Sequence, residues 1–139
     1  MTRMIFVNLP VADLGRARRF YEAVGFTNEP RFTDETAAAM VWSDAIYVML
    51  LTHEKWASFT DRPIPAAGSS EVALALALDG RDAVDAFVEK AGANGGLVDV
   101  NPVQDHGFMY GRDVTDPDGH VWGPFWMDPM VASGEAPPI

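Results

Sequence analysis

The stretch FVNLPVADLGRARRFYEAVGF, residues 6–26, sets a two-residue apolar period directly before a helical one. Ahead of Asp13 the pattern is a strand over residues 4–9. Ile5, Val7, Leu9 and Val11 fall on one face, with Met4, Phe6 and Asn8 on the other. After Asp13, the residues Leu14, Ala17, Tyr21 and Val24 form an apolar stripe at spacings of three and four, as an amphipathic helix does. Asp13 reads as the N-cap and Gly25 as the C-terminal cap. Arg16, Arg18 and Arg19 then lie on the solvated side of this helix.

Outward from this unit, residues 26–32 make a weak strand, interrupted at Asn28, Glu29 and Pro30. Residues 36–42 and 45–52 are better strands, with Ser43 and Asp44 in a hairpin position. Residues 53–70 carry Pro63, Pro65 and Gly68 and read as a linker with a short helical turn near Trp56. The pattern then restarts. Residues 71–78 alternate Val72, Leu74, Leu76 and Leu78 with Glu71, Ala73, Ala75 and Ala77. A helix is predicted over 81–91, ending at Gly92, then a short strand over 97–100. A final strand pair over 108–114 and 121–127 flanks the turn Asp116-Pro117-Asp118-Gly119. The tail from Asp128, with Pro129, Gly134, Pro137 and Pro138, has no packing pattern and is expected to fray.

The chain is therefore an internal repeat of strand, helix and about three strands. Phe20 precedes Gly25 by the same interval at which Phe87 precedes Gly92. Two such modules can close their open sheet faces around a cleft. The expected fold is α+β, one domain over 1–128, with modules at about 1–62 and 70–128 and a flexible tail over 129–139. In the 71–78 strand the Val and Leu face is expected under a helix. The Ala face either looks into space or packs against bulky residues of another strand, and the pattern satisfies both.

The chain has 139 residues, enough for one core. Its 20 acidic and 10 basic side chains give a charge of −10, which argues against nucleic acid and anionic membranes as partners. With no Cys there is no disulfide, thiolate metal site or cysteine nucleophile. No apolar run is long enough for a membrane span, and the start lacks a signal-peptide pattern, so a cytoplasmic domain is expected.

The segment 6–26, together with DPDGHVW at 116–122, resembles the vicinal oxygen chelate superfamily of glyoxalase I, bleomycin-resistance proteins and extradiol dioxygenases. VMLLT at 48–52 and QDHGFMYGR at 104–112 are similar to a bacterial branch described as predicted lactoylglutathione lyases. The resemblance implies paired βαβββ modules, a homodimer and a cleft that often holds a divalent metal. Such a metal gathers two substrate oxygens and stabilises their developing charge, while a nearby carboxylate moves a proton.

Carried onto this chain, the family's four ligand positions fall at Phe6, Leu50, about Ala73 and Gly123, none of which binds a divalent ion through its side chain. The expectation is no metal. Nickel or zinc enters only if His53, Glu71, His106 or His120 rebuild a site, with Glu71 the best substitute.

The expected ligand-binding set is Phe6, Asn8, Leu50, Ala73, Tyr110, Arg112, Gly123 and Phe125, with Val48 and Val121 beside them. Glu71 and His106 are the candidate catalytic groups. Arg112 can clamp a carboxylate or phosphate, or pair with Asp113, Asp116 or Asp118, which the excess of acids favours. His106 is a proton shuttle or a solvated loop residue. Tyr110 is a donor to a ligand or a packing aromatic. Trp122 and Trp126 share a face, suited to core or dimer contact. The expected role is binding of a small organic molecule, for which a cationic compound suits the acidic charge. The alternative is a lyase or isomerase of the lactoylglutathione type, through substitute metal ligands or none.

Overall fold

The computed structural model describes residues 3–139, which fall into two compact units, the first ending at Ser69 and the second running from Ser70 to Ile139. In the first unit, strand β1 (Ile5–Val11) leads into helix α1 (Leu14–Val24). Asp13 caps the helix by accepting the Arg16 backbone N–H at 2.9 Å, and Gly25 ends it with φ of 121°. Strands β2 (Thr27–Glu29), β3 (Ala37–Ser43) and β4 (Ile46–Thr52) follow, with a 3-10 turn over Pro30–Phe32. The sheet order is β1-β4-β3-β2, and β1 lies parallel to β4. Thr52 then caps the short helix α2 (His53–Ala57).

The core of this unit lies between α1 and one sheet face. Ala17, Phe20, Tyr21 and Val24 of the helix are buried, as are Ala38, Met40, Val48 and Leu50 of the strands. An edge-to-face chain of rings runs from Phe20 to Tyr21 to Phe26, with centroids 5.1 and 5.2 Å apart. Phe26 continues it onto Trp42 of β3 at 4.9 Å.

The second unit repeats the plan. Strand β5 (Ala73–Ala77) leads into α3 (Arg81–Ala93), followed by β6 (Gln104–Asp105), β7 (Met109–Gly111), β8 (Val114–Thr115) and β9 (Val121–Met127). The order β5-β9-β7-β6, with β5 parallel to β9 and β8 added beside β9, mirrors the first sheet. The internal repeat is thus structural: in both units the first strand pairs in parallel with the last.

Two local expectations are corrected. Helix α3 passes through Gly92 and stops at Asn94, and the positive φ of 94° falls on Gly95. Gly92 is a close-approach residue, since a Cβ there would lie 3.0 Å from the Val98 side chain. The 97–100 strand reduces to one bridge between Val98 and Val114, and the outer strand is Gln104–Asp105 instead. Beyond Asp128 the chain forms a helical turn, α4 (Pro129–Ala132), in which Asp128 accepts the Met130 N–H at 2.9 Å. Among the described residues no helix is long and apolar enough to cross a membrane.

Candidate functional site

Strict alternation along β9 sorts the second sheet into two faces. Trp122 is buried and Trp126 lies under the Arg81 guanidinium of α3, 5.4 Å from the ring centroid. Tyr110 and Arg112 also reach the α3 side, where the Tyr110 hydroxyl donates to Asp85 at 2.6 Å. The opposite face carries Gly123, Phe125 and Met127 of β9, Met109 and Gly111 of β7, Asp113 just beyond it, and Ala75 of β5. Together with Pro102, Gln104 and Pro124, these residues line an open cavity of about 350 Å³.

Small residues on three adjacent strands create this space. Ala75 pairs with Gly123, and Gly111 with Phe125. Met109, Phe125 and Met127 wall the cavity with adaptable apolar surface. Among the described residues Asp113 is its only charged lining residue. Its Oδ2 accepts from Asn101 Nδ2 at 2.8 Å. Its Oδ1 rests over Gly123, only 2.7 Å from where a Cβ would sit. The missing side chain at Gly123 is thus what seats the carboxylate.

Of the residues expected at the site, Gly123 and Phe125 line the cavity, and Ala73 lies two residues before Ala75 on β5, opposite Val121. Ala75 takes the place expected of Ala73. Phe6 and Asn8 share a face of the first sheet, Phe6 stacked on Tyr47 at 4.7 Å and Asn8 beside Met49. Leu50 does not join them. It pairs with Leu9 and Ala38 on the face under α1 and is fully buried, as is Val48. A one-residue slip in counting along β4 reverses the face, and Met49 is the residue in phase with Phe6 and Asn8.

Tyr110 and Arg112 are corrected in the same way, since they face α3 while Gly123 and Phe125 face the cavity. Glu71 precedes β5, whereas His106 neighbours Asp105, which Arg81 holds beyond the far end of β5. The two expected catalytic groups lie past opposite ends of one strand and do not form a pair. His53 is the exposed first residue of α2. The backbone N–H of His120 is held by the Asp116 carboxylate at 2.9 Å in the final turn.

Arg112 pairs with acids, but with distant ones. Its Nε and Nη2 donate to both oxygens of Asp99 at 2.9 and 2.7 Å, and its Nη1 to Asp85 at 3.0 Å. Asp113, Asp116 and Asp118, the partners expected from sequence, are not used in these bonds. Asp99 has φ of 51°, a left-handed conformation tolerated by Asp, and presents its carboxylate squarely to the guanidinium. Arg112 holds the Asp99 carboxyl below its ordinary value, and the Tyr110 hydroxyl, then Arg112, do so for Asp85. The same Asp85 contact raises the Tyr110 hydroxyl.

A second fork joins Arg81 to both oxygens of Asp105 at 2.9 Å each, and the Gly107 N–H adds to it. These contacts bring Asp105 down to about 2. A depressed carboxyl stabilises the fold above its unfolded pKa, near 4, and that stability is lost as pH falls through the folded value. Thermal melts are therefore expected to fall between about pH 4 and pH 2, less steeply in Arg81→Gln. Equal pH slopes in the two proteins would show that the Arg81–Asp105 fork is absent in solution.

A family model described as glyoxalase/bleomycin resistance protein/dioxygenase superfamily matches residues 3–123. The chain belongs to this superfamily. A solved hypothetical protein from S. aureus is 25% identical to this glyoxalase/bleomycin resistance/dioxygenase member, with a TM-score of 0.76 over 91% of this chain and 95% of that one. A superfamily enzyme from Burkholderia phytofirmans is 19% identical, TM-score 0.74, covering 91% and 99%. A glyoxalase-related enzyme from Fulvimarina pelagi is 20% identical, TM-score 0.75, covering 91% and 88%. The last two likenesses concern the fold alone. No curated protein matches the chain.

The divalent metal associated with this superfamily does not fit the residues present. Phe6, Leu50, Ala73 and Gly123, and with them the in-phase neighbours Met49 and Ala75, offer no nitrogen or oxygen side-chain donor. Among the described residues no three His, Cys, Asp or Glu side chains gather where an ion could be held.

Sequence reasoning missed Asp113, Ala75, Met109 and Met127 as site residues. The signal was present: once Tyr110 and Arg112 share one face, alternation puts Met109, Gly111 and Asp113 on the other.

Proposed function

We propose that this superfamily member binds a small organic molecule in the cavity of its second unit, without a divalent ion at the family's ligand positions. The observation that carries this reading is the cavity of about 350 Å³ floored by Ala75, Gly111 and Gly123. Its size and mostly apolar lining with two polar groups, Asp113 and Gln104, suit a small-molecule site. The rival lactoylglutathione-type lyase or isomerase would need a metal or an acid–base pair. The four ligand positions and the separation of Glu71 from His106 both weigh against it.

The reading extends to a cytoplasmic homodimer. Ile5 and Phe6, each about half exposed on the outer strand of the first sheet, and Met4 just before it, support self-association, which sedimentation velocity checks.

The binding test is a thermal-shift screen of small apolar and amphipathic molecules, followed by calorimetry of the hits. A ligand at a hundred times its Kd adds about 2.7 kcal/mol of stability, a shift of several degrees. Ala75→Phe fills the cavity and is expected to abolish binding. Hits that bind Ala75→Phe as well as the native chain would place the site elsewhere. Nickel and zinc titrations of tag-free protein are expected to show no stoichiometric uptake. Tight uptake would restore the lyase.

A further inference from the structure

We infer that the ligand of this cavity is an organic cation, an amine or amidine carried on an apolar body, and that Asp113 binds its charged end. The inference deepens the binding role proposed above and rests on it.

Four observations converge on the Asp113 carboxylate. Among the described residues it is the only charged group lining the cavity, and no Lys, Arg or His side chain lines it. One of its oxygens is anchored by Asn101, which fixes the rotamer. The other, Oδ1, accepts no hydrogen bond from the described residues and sits over the open backbone of Gly123. The adjacent guanidinium, Arg112, is turned to the other face of the sheet and engaged by Asp99 and Asp85 through three hydrogen bonds. Asp113 therefore holds an unneutralised acceptor at the edge of an apolar space.

That arrangement selects by charge. A ligand ammonium or amidinium donates to Oδ1 and gains a charge-assisted hydrogen bond. A carboxylate or phosphate meets like charge with no cation among the described lining residues to offset it. The apolar body lies against Met109, Phe125 and Met127, where the Phe125 ring also tolerates a cation over its face. Gln104 supplies the remaining polar lining group, a neutral one.

The test is calorimetry with three probes of one shape: phenylbutylamine, phenylbutanol and phenylbutyrate. The amine is expected to bind about tenfold or more tighter than the alcohol, and the carboxylate not at all. Asp113→Asn keeps the side-chain shape and is expected to weaken the amine by about tenfold or more while leaving the alcohol unchanged. Gly123→Ala leaves the carboxylate in the chain but pushes it off its seat. Because it also narrows the cavity floor, it is expected to weaken the amine more than the alcohol, and that difference keeps the test decisive should Asp113→Asn fail to fold. Equal binding of amine and alcohol, or an amine affinity indifferent to both substitutions, would overturn the cation inference while leaving the binding role standing. Failure of all three probes to bind would overturn both.

Discussion

Phe20→Ala is expected to remove about 3–5 kcal/mol of unfolding free energy, the cost of emptying a fully packed aromatic site. Phe20 is 0% exposed and lies edge-on to Tyr21, itself edge-on to Phe26. The loss is large because α1 offers no alternative contact: its stripe of Ala17, Phe20, Tyr21 and Val24 is its whole buried face. Against a typical total of about 5–15 kcal/mol, the variant would be marginally stable. Urea denaturation measures it as a lower midpoint with an unchanged slope. A loss below about 1 kcal/mol would mean that neighbouring side chains collapse into the space, and that this packing is far looser than described.

Asp116→Ala comes next, at about 2–4 kcal/mol, because it strips acceptors from a closed turn. Asp116 is 1% exposed. Its Oδ1 accepts the backbone N–H groups of Asp118 and His120, both at 2.9 Å. Its own N–H donates to the His120 carbonyl, and its carbonyl accepts from Gly119, which has φ of 92°. Alanine would leave two donors without their partner in a part-buried turn. Asp116→Asn keeps an oxygen in place and is expected to lose less. Equal losses for Ala and Asn, by the same urea measurement, would rule out the acceptor as the cause. The turn signal in Asp116-Pro117-Asp118-Gly119 is thus a structural one, and no acid–base role is needed to explain its carboxylates.

What the sequence disclosed was local. The switch of period at Asp13, the Gly25 cap and the Ala/Leu alternation of β5 are set by near neighbours, and each matches the structure. The Ala face of β5 was ambiguous on paper. In the structure Ala73, Ala75 and Ala77 are exposed while Leu76 is buried, and Ala75 opens the cavity. Where the reading went astray, the answer depended on register or on distant partners. Leu50 was misplaced because a strand position counted from a motif is uncertain by one residue, and one residue reverses the face. Arg112 was assigned near neighbours, yet Asp85 and Asp99 reach it through helix packing and a left-handed backbone that no period reveals. Leu97 and Val98 looked like a strand by composition, but both are exposed and contribute a single bridge. Asp113 escaped notice because its importance derives from an absence, the missing side chain of Gly123 on the neighbouring strand.

The parallel pairing of each unit's first strand with its last has a consequence for the order of synthesis. Ile5 waits for Ile46, and Ala73 for Val121, before either first strand gains that neighbour. A nascent chain that has emerged as far as Thr52 can complete the hydrogen bonding of its first sheet. One halted at Gly111 cannot complete the second, because β5 still lacks β9. During translation the second half therefore carries the longer exposure of unpaired strand, and a halt with the chain emerged only to a point between residues 78 and 120 would leave the strand that helps floor the cavity as the most vulnerable part of the chain.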